Sequence, residues 1–386
     1  MVKKIYLDYA STTPVDPKVL KEMLPYFSDK FGNTMSFHDK GAEALEAVEK
    51  ARIKIANVLN AKPEEIIFTS SATEANNLAI KGIAYANSNR GKHIIISSIE
   101  HDSVLNTVNW LKTQGFEITE LPVDKNGLVD SKNLEKEIRR NTILVSMIHG
   151  NNEIGTIQNI KLLGETCKKN NVFFHTDTSQ SFGKIEIDVN KDNIDLLTAS
   201  SHKIYGPKGV GLLYIKSGIP ITPLLHGGGH ERNLRSSTLN VPGIIGFAKA
   251  TEIAWKELKK ENKRLIKLRD KLINGILKRI SNTKLNGDIK DRLANNVNIS
   301  FSFIEGESLL LELNLEGIFV STGSACSSPK LEPSKILMAL GRDVEDAHGS
   351  IRFSLGRWTT DSDINYVLKV LPEIVKRLRK FSPFKD

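Results

Sequence analysis

The sequence predicts an α/β protein, with a large domain on a mostly parallel sheet and a smaller α+β unit after it. Three observations carry this expectation. Strand-like and helical segments alternate from about residue 60 to 215, the rhythm of parallel strands joined by crossover helices. From Ile245 to Ile280 the chain reads as almost continuously helical, with Leu258, Leu265, Leu268, Leu272 and Ile276 recurring on one side. At 386 residues it exceeds the size at which a single core stops growing.

In order, the start through Tyr9 alternates like a strand, and Ile66 to Ser70 is a strand followed by a helix opening near Thr73. His93 to Ser97 precedes a helix beginning near Asp102; Phe116 to Leu121 is a short strand and Leu128 to Arg140 a helix. Ile143 to Ile148 leads through a loop into a helix over 160–170, and a strand follows from Val172 to His175. Ile194 to Ala199 and Gly211 to Ile215 are the last strands of the alternation. Past the long helix, Asn296 to Phe303, a helix near 306–315, and Ser350 to Leu355 form the smaller unit, closed by an amphipathic helix from about Ser362 to Lys380.

Composition excludes several classes. At 40% hydrophobic and 26% charged the chain is an ordinary globular one, and no run approaches the ~18 apolar residues of a membrane span. The N-terminus lacks the apolar core of a signal peptide, and two cysteines cannot build a disulfide framework, so a reducing, cytoplasmic location is expected. The net charge of +9 favours acidic partners, yet the lysines are scattered except in two helical stretches, 256–280 and 369–380. No nucleic-acid module signature is present, and direct nucleic-acid binding is not expected.

The chemistry concentrates in loops after strands, where open α/β sheets place ligands. Lys203 stands in Ser200-Ser201-His202-Lys203, just past a strand; a solvated loop lysine has the same local sequence. Ser70-Ser71-Ala72-Thr73 opens a helix, where backbone N–H groups and the Thr73 hydroxyl can face an anion or serve only as a cap. His101 follows a strand end and can stack on a planar ligand, move a proton or simply enter a helix. Asn151-Asn152-Glu153 supplies two amides and a carboxylate. Asp177 emerges from an apolar strand, partly desolvated, and needs a cationic or proton-donating partner such as a protonated pyridine nitrogen; Gln180 can bond a neighbouring ring oxygen.

The loop from Gly227 to Thr238 is glycine-rich and basic, able to approach phosphate or to form a surface turn. Strand alternation puts Ile351, Phe353 and Leu355 on one face and Arg352 on the other, where its fork can hold a carboxylate or point to solvent. Cys167 falls on the apolar stripe of a helix and reads as core. Cys326 lies in a run of small residues, Ser321 to Pro329, which suits a reachable thiol on a mobile loop as well as an incidental exposed one.

In their order along the chain these features resemble the cysteine desulfurases of the NifS/IscS type, in the fold-type I pyridoxal-phosphate superfamily and the class-V aminotransferase family. The resemblance runs from Tyr6-Leu7-Asp8-Tyr9-Ala10-Ser11-Thr12-Thr13-Pro14 to Ser354-Leu355-Gly356-Arg357, through SATEANN (71–77), EH (100–101), NNEIG (151–155), HTDTSQ (175–180), SSHKIYGPKG (200–209), GGGHER (227–232) and STGSACSS (321–328). It implies a seven-stranded, mostly parallel sheet in a large domain, 14–257, and a small domain of 1–13 and 258–386 that carries the cysteine loop, 321–335.

The resemblance also implies roles. Lys203 would hold pyridoxal phosphate and shuttle the substrate Cα proton; Asp177 would keep the pyridine nitrogen protonated; His101 would stack on the ring. Gln180 and Asn152 would contact the phenolate oxygen or substrate. Ala72, Thr73, Ser200 and His202 would bind the cofactor at its phosphate, with Thr238 reaching it from a second subunit of a homodimer. Arg352 would hold the carboxylate of L-cysteine, and Cys326 would take its sulfur as a persulfide, leaving alanine. The acceptor would be an IscU-type scaffold for iron–sulfur assembly or a tRNA-thiolation protein. No resident metal is expected, Cys326 alone touching a cluster transiently with an acceptor. Selenocysteine lyase, or another lyase or transaminase on the same fold, is the alternative. The chain departs from the family pattern at Thr34, Asn159, Thr178, Asn233 and Ser237.

Overall fold

Apolar runs too short for helices become strands buried on both faces. In this computed structural model, which describes residues 4–322 and 333–382, they form a seven-stranded sheet. Its order is Ile66–Thr69, Gly211–Ile215, Leu196–Ser200, Phe173–Asp177, Thr142–Ile148, His93–Ser97, Glu117–Leu121. Gly211–Ile215 runs antiparallel to both neighbours, and the other adjacent pairs are parallel. Every residue of Thr142–Ile148 is buried, as strands covered on both faces require. Glu117–Leu121, at the edge, carries exposed Glu117 and Glu120, charges that discourage pairing with another sheet.

The smaller unit holds a three-stranded antiparallel sheet, Ser350–Ser354, Asn296–Phe301 and Thr283–Leu285. Ile5–Tyr6 joins it from the N-terminus by pairing in parallel with Ile318–Phe319. The helix Val241–Arg279, 39 residues and about 58 Å at 1.5 Å per residue, links the two. Phe247, Ala250 and Ile253 pack in the core under the large sheet; Leu265, Leu268, Leu272 and Ile276 pack in a second core with Val297, Phe353 and Ile374.

The expected helix from Leu128 to Arg140 spans only Ser131–Glu137. Asp130 caps its start by accepting the Lys132 N–H, and Ile138 ends it in an extended conformation. The 21-residue helix Asp39–Leu59 was not among the sequence expectations; Ala44, Val48, Ala51 and Ile55 bury one side of it in the large core.

Candidate active site

The carboxyl ends of the central strands open on a cavity of about 390 Å³. Asp177 is the last residue of its strand and 3% exposed. Its Oδ1 accepts the Ser179 N–H at 2.8 Å and the Ser179 hydroxyl at 2.6 Å; its Oδ2 accepts the Asn76 amide at 2.8 Å. Three of about four lone-pair sites are thereby used, which leaves room for one further donor. Behind it, burial drives His175 down to about 4 against the opposing pull of Asp177; the ring is held by Ser146 and Thr198 hydroxyls.

Lys203 follows the strand Leu196–Ser200 in a single helical turn, Ser201–Lys203. Its Nζ donates to the carbonyls of Ala10 at 2.6 Å and Ser11 at 2.7 Å, and the Gln180 amide donates to the same Ala10 oxygen at 2.9 Å. The amine is thus held at the cavity wall, and the solvated-loop alternative is removed. His202 is bound through Nδ1 to the Thr12 hydroxyl at 3.1 Å; burial first, then the charges of Lys203, Lys208 and Lys184, lower it to about 4. It is a neutral imidazole at physiological pH.

The helix Ala72–Ala86 begins at the cavity. Ser71 caps it by accepting the Glu74 N–H at 3.2 Å, and the N–H groups of Ala72 and Thr73, in the first turn, lack intrahelical acceptors by construction. With Ser200 and His202 also on the wall, this end of the cavity is built for an anion.

Arg352 is 4% exposed and on the cavity wall, so the solvent-facing alternative is also removed. Nη2 donates to Asp8 at 2.9 Å and Ser11 Oγ at 2.8 Å, and Nη1 to the Asn152 carbonyl at 2.9 Å. Its Nε and the Asn152 Oδ1 are buried without a hydrogen-bond partner among the described residues. His101 caps the helix Asp102–Thr113 by accepting the Ser103 N–H at 3.1 Å and leaves its exposed ring on the cavity. The helix-entry reading and the cavity reading both hold for it.

Lys203, Asp177, His101, Gln180, Asn152, Ala72, Thr73, Ser200, His202 and Arg352 therefore share one cavity. Thr238 is exposed and is not on its wall in this chain. Cys326 lies outside the described residues. Cys167 is fully buried, and desolvation raises its thiol well above the ordinary range.

The glycine-rich loop does not approach the cavity within this chain; it is tied down elsewhere. Buried Glu231 meets Arg52 at 2.7 Å, and Arg235 meets Glu74 at 2.7 Å, which clamps the loop to the first turn of the anion-facing helix. Asn233, where the family has glycine, is left-handed with φ of 66°, a region Asn tolerates. Thr178 donates to the Thr198 carbonyl at 2.6 Å, and Asn159 caps the helix Ile160–Lys169. These departures are satisfied locally.

Sequence reasoning missed Asp8, Ala10 and Ser11 as site residues, and Asn76 as a partner of Asp177. The contacts of Ala10 run through a backbone carbonyl, which has no residue signature; Asn76 stands one turn into a helix already singled out, and its spacing from Ser71 was the available signal.

Comparisons with known proteins identify the family. The aminotransferase class-V family model matches residues 5–367. A cysteine desulfurase IscS from Methanosarcina thermophila is 55% identical over 381 residues, covering 99% of this chain and 94% of that protein. Another from Dictyoglomus turgidum is 53% identical over 386 residues, covering 100% and 98%. A solved structure of a NifS-like protein superposes with a TM-score of 0.92 at 41% identity, covering 97% of this chain and 100% of that one. The chain belongs to the class-V aminotransferase family and, within it, to the cysteine desulfurases of the IscS type.

Proposed function

We propose that this protein converts L-cysteine to L-alanine and carries the released sulfur as a persulfide on Cys326, with pyridoxal phosphate bound through Lys203. The observation that carries the reading is the meeting, in one cavity, of an amine, a buried carboxylate with one acceptor site left, an anion-facing helix end and a buried arginine. That donor set fits the cofactor: Asp177 for the ring nitrogen, Ala72, Thr73, Ser200 and His202 for the phosphate, His101 for the ring face. The buried, unpartnered Asn152 Oδ1 is ready for a donor on ring or substrate. A cavity of about 390 Å³ is in the range of small-molecule sites. When bound, pyridoxal phosphate supplies an electron sink that acidifies the substrate Cα.

The protein's own residues do the rest. Arg352 grips the substrate carboxylate with its planar fork and so fixes which bond at Cα faces Lys203. The Lys203 amine takes the Cα proton and returns a proton to carbon. The Cys326 thiolate attacks the substrate sulfur; an S–S bond forms as the Cβ–S bond breaks, and the carbon fragment keeps the bonding electrons, is protonated and leaves as alanine. The persulfide passes to an acceptor, for which an IscU-type scaffold in iron–sulfur assembly or a tRNA-thiolation protein is proposed.

Among the described residues no helix is long and apolar enough to cross a membrane, and a cytoplasmic location is proposed. A homodimer is proposed as well, supported by the exposed Leu24, Phe27, Phe31, Met35 and Phe37 clustered in one stretch. Thr238 of the partner subunit would then complete the phosphate site.

The test compares wild type with Cys326→Ala and Lys203→Ala. Cys326→Ala is expected to stay yellow and form no protein persulfide, because the cofactor link is intact and the sulfur acceptor gone. Lys203→Ala is expected to lose turnover. Alanine and sulfide production undiminished in Cys326→Ala would sink the persulfide route.

A further inference from the structure

Glu100 stands in the turn between His93–Ser97 and Asp102–Thr113, one residue before His101. It is 2% exposed and lies on the cavity wall. Its Oε1 accepts the Ile148 N–H at 2.8 Å and the Ser97 hydroxyl, so this one oxygen joins the turn to the end of Thr142–Ile148. Its Oε2 is buried with no hydrogen-bond partner among the described residues. A charged carboxylate with one oxygen in that position is costly, and a proton on Oε2 removes the cost. Burial raises Glu100 to about 8; the Ser97 and Ile148 bonds oppose the shift and the Asp177 charge adds to it.

We propose that Glu100 is a positioning residue for His101: as a neutral acid it ties the turn before His101 to the strand end, and ionisation loosens that tie. The other charged or titratable groups on the cavity wall are Asp102, Glu153, Asp177, Lys203, Lys335, Arg352, His101 and His202. Of the cations among them, Lys203 is engaged by the Ala10 and Ser11 carbonyls and Arg352 by Asp8, Ser11 and Asn152, while Lys335 is exposed. His149, which follows the strand on the other side, is buried and held neutral by burial, down to about 4. An ionised Oε2 therefore has water or the exposed Lys335 as its available donor, and because the atom is buried, a donor reaches it through a shift of residues 98–101 that takes the His101 ring along. The consequence for the cofactor rests on the proposed function; the tie itself does not.

The experiment has two arms, using wild type and Glu100→Gln, whose amide keeps an acceptor oxygen and cannot ionise. The first follows thermal unfolding of the cofactor-free protein from pH 5 to 9.5. The folded-state pKa lies above the unfolded one, so the stability Glu100 contributes is whole below the ordinary glutamate range and is lost as pH rises through about 8. The melting temperature of Glu100→Gln should gain on wild type across that window and keep a constant lead above it. The second follows the visible circular dichroism of the holoenzyme, which reports the ring's asymmetric surroundings; wild type should change with a midpoint near 8 and Glu100→Gln stay flat. Should Glu100→Gln not fold, Ser97→Ala removes a bond that favours the ionised form, and both wild-type midpoints should move upward. A pH-independent gap in the first arm overturns the tie. Identical dichroism titrations in the second overturn the effect on His101. Absence of any cofactor band counts against the proposed function, while the first arm still decides the tie.

Discussion

Glu231→Ala isolates what holds the glycine-rich loop. Glu231 and Arg52 form a two-point pair, Nη2 to Oε1 at 2.7 Å and Nη1 to Oε2 at 2.9 Å, with side chains 1% and 3% exposed. The same carboxylate accepts the Phe68 N–H at 2.6 Å, Arg52 donates to the Ile66 carbonyl at 2.6 Å, and the guanidinium lies 4.8 Å from the Phe68 ring centroid. The pair also spans a strained stretch: Glu231, Arg232 and Asn233 are consecutively left-handed, with φ of 46°, 56° and 66°. Removing the carboxylate leaves the buried guanidinium with only the part-exposed Glu49, at 3.0 Å from Nε, as counter-charge, at a cost of about 3–5 kcal/mol. For cooperative unfolding of 386 residues at about 2.1 cal/mol/K per residue, the entropy of unfolding is about 0.8 kcal/mol/K, so the melting temperature should fall by about 4–6 °C. Differential scanning calorimetry reads this directly. Arg52→Met with Glu231→Gln removes the charge and keeps an acceptor for Phe68; it should recover to within about 1–2 kcal/mol of wild type. A loss under one degree for Glu231→Ala, or a double variant as unstable as the summed singles, would refute the assignment of a buried, coupled pair.

Two further outcomes follow from the same geometry. Arg352→Lys replaces a fork by a point charge and should raise KM for L-cysteine about 10–100-fold, the worth of one charge-assisted bond, with a smaller change in kcat; steady-state alanine formation measures it. Lys184 carries a buried Nζ without a hydrogen-bond partner among the described residues, and burial, then the Lys203 charge, lowers it to about 7. Its folded pKa lies below the unfolded one, so keeping it buried costs stability at pH 7, and that cost vanishes as pH approaches the ordinary lysine range. Lys184→Met should therefore raise the melting temperature by a few degrees at pH 7, with the gain shrinking toward pH 10.

The sheet was legible because parallel strands covered on both faces are forced to be continuous apolar runs, as in Ile143 to Ile148. The long helix was legible because its apolar positions serve two cores in succession, Phe247, Ala250 and Ile253 in the first and Leu265, Leu268, Leu272 and Ile276 in the second. Boundaries were less so: Asp130 as a cap and the extended Ile138 confine the helix expected over Leu128–Arg140 to Ser131–Glu137. Asp177 could be read from an apolar strand ending in a carboxylate, and Arg352 from alternation. Glu231 could not. A glutamate in a run of glycines and basic residues looks solvated, and its burial depends on Arg52, which lies 179 residues away.

The N-terminal stretch explains why the site needs both lobes. Ile5–Tyr6 is fastened to Ile318–Phe319 in the smaller unit, and the chain then crosses the cavity before Thr13 bonds the His202 carbonyl in the larger one. Ser11 lies at the crossing, its carbonyl accepting from Lys203 and its hydroxyl from Arg352. Lys203 and Arg352 are thus joined through one residue, although they follow or lie in different sheets. Arg352 already satisfies Asp8, Ser11 and the Asn152 carbonyl, so an incoming carboxylate must share its fork with Asp8 or displace it. Under the proposed function, the net affinity for substrate is then a difference between two charge-assisted arrangements. Because Ser11 also holds Lys203, that exchange at Arg352 is felt at the amine proposed to move the Cα proton.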